Sequence, residues 1–200
     1  MLQYDDQEIV QLILAGDTDA FNVLVDRYQA RAYNLCLRML GDGDVAADVA
    51  QDAFISAYRH LPSLRGEFRP WLMRIVANAC RDALRSQKRR PTVSMDMSHD
   101  EDEGPGLQIA DSADGPVDAL IHREFQQTIV VALQSIPDDQ REVIVLSDIE
   151  GRSYQEIADI TGINIGTVKS RLNRARLRMR ELLTAAELFP QVKRHTSQRE

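Results

Sequence analysis

The stretch SYQEIADITGINIGTVKSRLNRARLRMRELL, residues 153–183, decides the fold. Ser153 stands three residues before Glu156, the spacing of a capping box, in which hydroxyl and carboxylate each accept from a backbone amide left without a partner at a helix start. A short helix over about 153–161 follows, and Gly162 ends it, because glycine takes a left-handed turn without a Cβ penalty. A second helix is predicted over about 165–184. Within it Val168, Leu172, Ala175, Met179 and Leu182 recur at spacings of four and three, the period of a buried stripe. The other faces carry Lys169, Arg171, Arg174, Arg176, Arg178 and Arg180, with no acidic residue among them. Like charges at i,i+4 repel, so solubility alone does not account for the pattern. A short capped helix, a glycine turn and a longer basic helix make a helix-turn-helix, whose second helix enters the major groove. Its first turns then offer Thr167, Lys169, Ser170, Arg171 and Arg174, and beyond them Arg178, to base edges and phosphates.

Upstream of this motif the spacing of apolar residues predicts further helices over about 117–135 and 138–149, and no strand is needed anywhere. The N-terminal part is helical by the same test. Asp17 to Leu40 reads as one amphipathic helix through Phe21, Leu24, Tyr28, Leu35 and Met39, ended by the GDGD turn at 41–44. A second, from about Asp44 to His60, runs through Val45, Val49, Ala53 and Tyr58 and stops before Pro62. The third is RPWLMRIVANACRDALRSQKRR, 69–90, with Pro70 in its first turn and an expected apolar face of Trp71, Leu72, Ile75, Val76, Ala79 and Leu84. Trp71 is read as core packing and not as a stacking platform. On another face Arg74, Asn78, Arg81, Arg85 and Lys88 fall at 4, 3, 4 and 3, a basic stripe interrupted by one amide. Arginines can hold phosphates while Asn, both donor and acceptor, pairs with an unpaired base edge, which points to single-stranded nucleic acid.

Between the two helical parts, residues 91–117 hold three Pro, three Gly, a run of acidic side chains and no basic one. Such a segment cannot bury enough apolar surface to offset its ordering entropy, so it reads as a flexible acidic linker. The expected organisation is therefore all-α: a helical domain over 1–90, the linker over 91–117, a second helical domain over 118–185 and a polar tail over 186–200. Charge follows the same division. The formal net charge is −7 over 200 residues, yet 65–90 carries eight basic against two acidic groups and 151–200 carries ten against five. Two basic blocks on an acidic protein indicate two local polyanion-binding faces.

Several function classes fall away. The longest apolar runs are a few residues, far short of the ~20 that span a bilayer, and the start MLQYDDQEI lacks the basic and apolar regions of a signal peptide. Glycine-rich phosphate loops, HExxH and GxSxG are missing, so neither an enzyme nor a cofactor is expected. HDEDE, 99–103, does not have the spacing of a calcium loop. Cys36 and Cys80, without a CxxC, read as small buried apolar residues in a protein of a reducing compartment.

These stretches carry a family resemblance. The run IPDDQREVIVLSDIEGRSYQEIADITGINIGTVKSRLNRARLRMREL, 136–182, resembles region four of bacterial sigma factors, and its GTVKSRLNRAR core is similar to that of the extracytoplasmic-function group. ADVAQDAFISAYR, 47–59, and RGEFRPWLMRIVANACRDALR, 65–85, resemble region two. The resemblance spans about 17–90 and 117–184, with both motifs in the family's order around a linker, and no stretch resembles the extra middle domain of housekeeping sigma factors. The loop between Leu64 and Trp71 is shorter than the family's commonest wording. The resemblance implies a cytoplasmic transcription initiation factor that binds core RNA polymerase and promoter DNA. The helix carrying Asp48, Gln51, Asp52 and Phe54 would grip the clamp helices of the β′ subunit. The Asn78 stripe would capture the melted minus-ten strand, and region four would read the minus-thirty-five element and dock on the β flap. An anti-sigma partner is usual in the family.

Two other readings stand beside this one. A conventional regulator would dimerise and read duplex through 153–183 alone, leaving the Asn78 stripe without a use. A protein-interaction adaptor would leave both basic faces without one.

Overall fold

The computed structural model describes residues 4–89 and 116–186, and among them every regular element is helical. The linker 91–117 and the tail 186–200 lie outside the described residues except at their edges, as does HDEDE. The chain divides into two compact units, one built mainly on residues before 114 and the other mainly on residues from 114 onward.

The first unit holds α1 (Asp6–Leu14), α2 (Ala20–Leu40), α3 (Gly43–His60) and α4 (Phe68–Arg89). The sequence reading has no counterpart of α1. It starts at a capping box in which the Glu8 amide donates to Asp5 and the Asp5 amide donates to Glu8, each at 2.8 Å, and it buries Ile9, Val10 and Ile13. Asp6 fastens it to α2: the Tyr28 hydroxyl donates to the Asp6 carboxylate and Arg27 pairs with it. Burial, reinforced by that hydrogen bond, pushes the Tyr28 phenol up to about 12.

Helix α2 begins at Ala20, not at Asp17, because the Asp17 side chain accepts from the Ala20 amide at 3.2 Å and so belongs to the preceding turn. It ends on Gly41, at φ 81°, whose amide donates to Leu37. Asp42 then caps α3 by accepting from the Val45 amide at 2.9 Å, so the connection is only two residues long. Along α3, Ala46, Ala50, Ala53 and Ala57 form the buried side, and such short side chains let neighbouring backbones approach closely. Phe54 joins them at 7% exposure, its ring edge-on to Phe21 at 6.5 Å. Val45 and Val49 are only half-buried and Tyr58 is exposed, so the core face lies to one side of the expected one. Helix α4 shows the same offset. Its buried residues are Phe68, Leu72, Met73, Val76, Ala77 and Cys80, while Trp71, Ile75, Ala79 and Leu84 are half-buried. Trp71 is thus not a core residue; it leans on Phe68, ring centroids 5.9 Å apart. Cys36 of α2 and Cys80 of α4 are both fully buried, and the fold sets their Sγ atoms 3.4 Å apart.

The second unit holds α5 (Pro116–Gln134), α6 (Asp138–Ile144), a π-helical turn over Val145–Ile149, α7 (Tyr154–Thr161) and α8 (Ile165–Ala185). Three of the four predicted helices are present within a residue or two, while the one expected over 138–149 is α-helical only to Ile144 and continues to Ile149 as the π-helical turn. Arg141, 5% exposed, fixes the corner between α5 and α6 by donating to Gln134, to Asp138 at 2.7 Å and to the Ile136 carbonyl. The predicted capping box forms: the Ser153 amide donates to Glu156 at 2.8 Å and the Glu156 amide donates to the Ser153 hydroxyl at 3.2 Å. Gly162 turns the chain at φ 71°. Asn164 caps α8, accepting from the Thr167 amide at 2.8 Å. The buried stripe of α8 is Val168, Leu172, Ala175 and Met179, as expected, but it closes on Leu183 and not on Leu182.

Candidate nucleic-acid interface

Helix α8 advances ~100° per residue, so Lys169, Ser170, Arg174 and Arg178 fall on the side away from the buried stripe. All four are exposed, together with Asn173, which the sequence reading passed over. Ser170 donates to the Thr167 carbonyl at 3.0 Å and Arg174 donates through Nε to the Ser170 carbonyl at 3.2 Å, so both side chains lie along the helix surface. Thr167 is half-buried and its hydroxyl donates to Asn164 at 3.0 Å, which ties it to the cap.

Two arginines of α8 do have acidic partners, contributed by residues about thirty positions upstream. Arg171 pairs with Asp139 of α6 at 3.0 Å. Arg176 meets Asp148 of the π turn in a two-pronged contact, Nε at 2.8 Å and Nη2 at 2.6 Å. The hydrogen bond from Arg176 holds the Asp148 carboxyl below the usual carboxylate range, burial opposing it, and Asp148 in turn raises the guanidinium. Arg176 is thereby engaged in fastening α8 to its own unit. Lys169, Arg174 and Arg178 have no ion pair among the described residues and remain the cationic surface of this helix.

On α4, Arg74, Arg85 and Lys88 are exposed and Asn78 and Arg81 half-buried, in line on the side opposite the core. The Asn78 amide makes no hydrogen bond among the described residues, so its donor and acceptor are both available to a ligand. Arg85 lies 3.9 Å from Asp82 with both side chains mostly exposed, a contact too weak to withdraw it from a polyanion. Half-buried Trp71 and Ile75 border the stripe.

The third face belongs to α3. Asp48, Gln51 and Asp52 are exposed one beside the other, and Ile55, 43% exposed, continues the row. Phe54, expected on this face, points instead into the core, where it is covered by α2.

Residues 24–90 match the family model Sigma-70 region 2, and residues 126–179 match Sigma-70, region 4. The chain is 40% identical over 177 residues to the ECF RNA polymerase sigma-E factor of Escherichia coli, spanning 87% of this chain and 92% of the relative. It is 36% identical over 178 residues to the RNA polymerase sigma-H factor of Pseudomonas aeruginosa, spanning 88% and 92%. The chain belongs to the extracytoplasmic-function (ECF) sigma factors.

Two solved structures are similar in fold. The sigma factor RpoE of Bartonella quintana, in complex with the anti-sigma factor NepR, is 26% identical at a TM-score of 0.58, covering 82% of this chain and 96% of that one. CnrH, in complex with the cytosolic domain of CnrY, is 27% identical at a TM-score of 0.59, covering 90% and 97%. In this sigma factor region 2 takes in most of α2 together with α3 and α4, and region 4 runs from α5 through most of α8. Helix α1 lies ahead of the region 2 match. As a sigma factor the protein is a transcription initiation factor for RNA polymerase, and no described helix is long and apolar enough to cross a membrane.

Proposed function

We propose that this ECF sigma factor recruits core RNA polymerase to its promoters by dividing the work among three helix faces. Helix α8 reads the duplex minus-thirty-five element through Lys169, Ser170, Arg174 and Arg178, with Arg171 beside them. Helix α4 holds the melted minus-ten strand: Arg74, Arg81, Arg85 and Lys88 engage phosphates and Asn78 a base edge. The α3 face of Asp48, Gln51 and Asp52, extended by Ile55, meets the β′ clamp helices, and the second unit docks on the β flap. Phe54 serves this face only by supporting the helix. The factor catalyses nothing itself and works in the cytoplasm with the polymerase. An anti-sigma factor, as seen with the Bartonella relative, is the regulator that fits it.

The observation that carries this reading is the presence of regions 2 and 4 on one chain, each with a basic helix face turned away from its core. A duplex-binding regulator would need only the second. Run-off transcription with purified core polymerase and a promoter library tests it. Transcripts that depend on the protein and share two spaced promoter elements are expected; no protein-dependent transcript from any promoter would overturn the reading.

A further inference from the structure

Arg171 and Arg176 lie on opposite flanks of the α8 stripe formed by Val168, Leu172, Ala175 and Met179, and each is met by a carboxylate, one from α6 and one from the π turn that follows it. Apolar packing is non-directional, so the stripe alone does not fix where a flanking guanidinium points. The two pairs differ in their place along the helix. Asp148 takes Arg176, farther from the start of α8. Asp139 takes Arg171 in the second turn, between exposed Ser170 and Arg174, with side-chain exposures of 25% for Arg171 and 49% for Asp139. A carboxylate at the end of the helix that approaches DNA works against phosphate binding. Its contribution there is orientation and not affinity.

We propose that Asp139 is a positioning residue for promoter reading that acts through Arg171. By pairing with the guanidinium it holds Arg171 in one orientation beside Ser170 and Arg174, so that the first turns of α8 present a single arrangement to the bases. The inference rests on the reading of α8 as the minus-thirty-five helix. Its signature is a split between two quantities: discrimination depends on Asp139, whereas affinity for DNA of any sequence does not.

The test uses full-length protein in holoenzyme with two templates, a promoter recovered from the library and the same promoter with its minus-thirty-five element scrambled. Asp139→Asn should lower the ratio of transcripts from intact and scrambled templates about fivefold, the upper range of coupling for one partly exposed ion pair, with binding to the scrambled template unchanged or tighter. Asp139→Glu should restore part of the ratio. In an Arg171→Ala background Asp139→Asn should change it no further, since its route of action is gone. An unchanged ratio in Asp139→Asn, an equal loss on both templates, or a loss that persists in the Arg171→Ala background would each overturn the proposal. A parent holoenzyme indifferent to scrambling would overturn the assignment of α8, and this inference with it; a discriminating parent matched by Asp139→Asn would overturn this inference alone.

Discussion

From Arg174 to Arg176, two positions along α8, a guanidinium passes from solvent to the grip of a carboxylate. Arg174 is exposed and lies along its own helix, whereas Arg176 is bound in two places by Asp148. Different losses should follow from the same substitution. Arg174→Ala should cost about 1–3 kcal/mol of holoenzyme binding to promoter DNA, with relaxed preference at one base pair of the minus-thirty-five element, as for a bidentate guanine contact. Binding isotherms on single-base promoter variants check this, and unchanged preference at every position would contradict it. Arg176→Ala should instead lower the unfolding free energy, by no more than about 1 kcal/mol because the pair is partly exposed, and leave base preference alone. On α4, Asn78→Ala should narrow the gap between preferred and scrambled non-template oligonucleotides in holoenzyme binding. A variant that still discriminates as the parent does would return Asn78 to the role of a solvated helix residue.

The capping box at the start of α7 is the element most clearly written in the sequence, and it gives a pH dependence. The backbone amide and hydroxyl of Ser153 hold the Glu156 carboxyl below its ordinary range, and Arg176 does the same for Asp148. A carboxyl with a lowered folded-state pKa stabilises the fold at pH above its unfolded value and loses that contribution as pH falls through the folded one. The unfolding midpoint should therefore fall as pH drops below about 4, and Glu156→Gln should flatten that fall. Ser153→Ala should cost about 1 kcal/mol at neutral pH, read by denaturant unfolding. On α3, Asp48→Lys with Asp52→Lys should weaken assembly with core polymerase, most at low salt, with helical content unchanged. Equal affinity for parent and variant would return this face to solvent. The helices of the second unit were legible because their caps and glycine stop are local signals. The inward faces of α3 and α4 were less so. Alanine counts as apolar on either side of an alanine-rich helix, so periodicity alone put Val45, Val49 and Trp71 in the core and left Phe54 out of it. Helix α1 was missed although Asp5 and Glu8 spell its cap, because it is short and its buried residues form no long stripe. The partners of Arg171 and Arg176 lie about thirty residues away, where no spacing rule reaches.

At the scale of the whole molecule, charge and function are joined. A net charge of −7 opposes approach of the free protein to DNA, while the cationic residues gather on α4 and α8. In the proposed arrangement core polymerase supplies the rest of the DNA-binding surface and holds both faces against one promoter. The account thus makes promoter occupancy conditional on polymerase. The most direct measurement is a footprint on a promoter recovered by run-off selection, taken at physiological salt with the protein alone, with core polymerase alone and with both together. Protection of the minus-thirty-five and minus-ten elements, with the minus-ten strand opened, is predicted only when both are present. Specific protection of the duplex by the protein alone, undiminished without polymerase, would contradict the account and make this chain a conventional DNA-binding regulator.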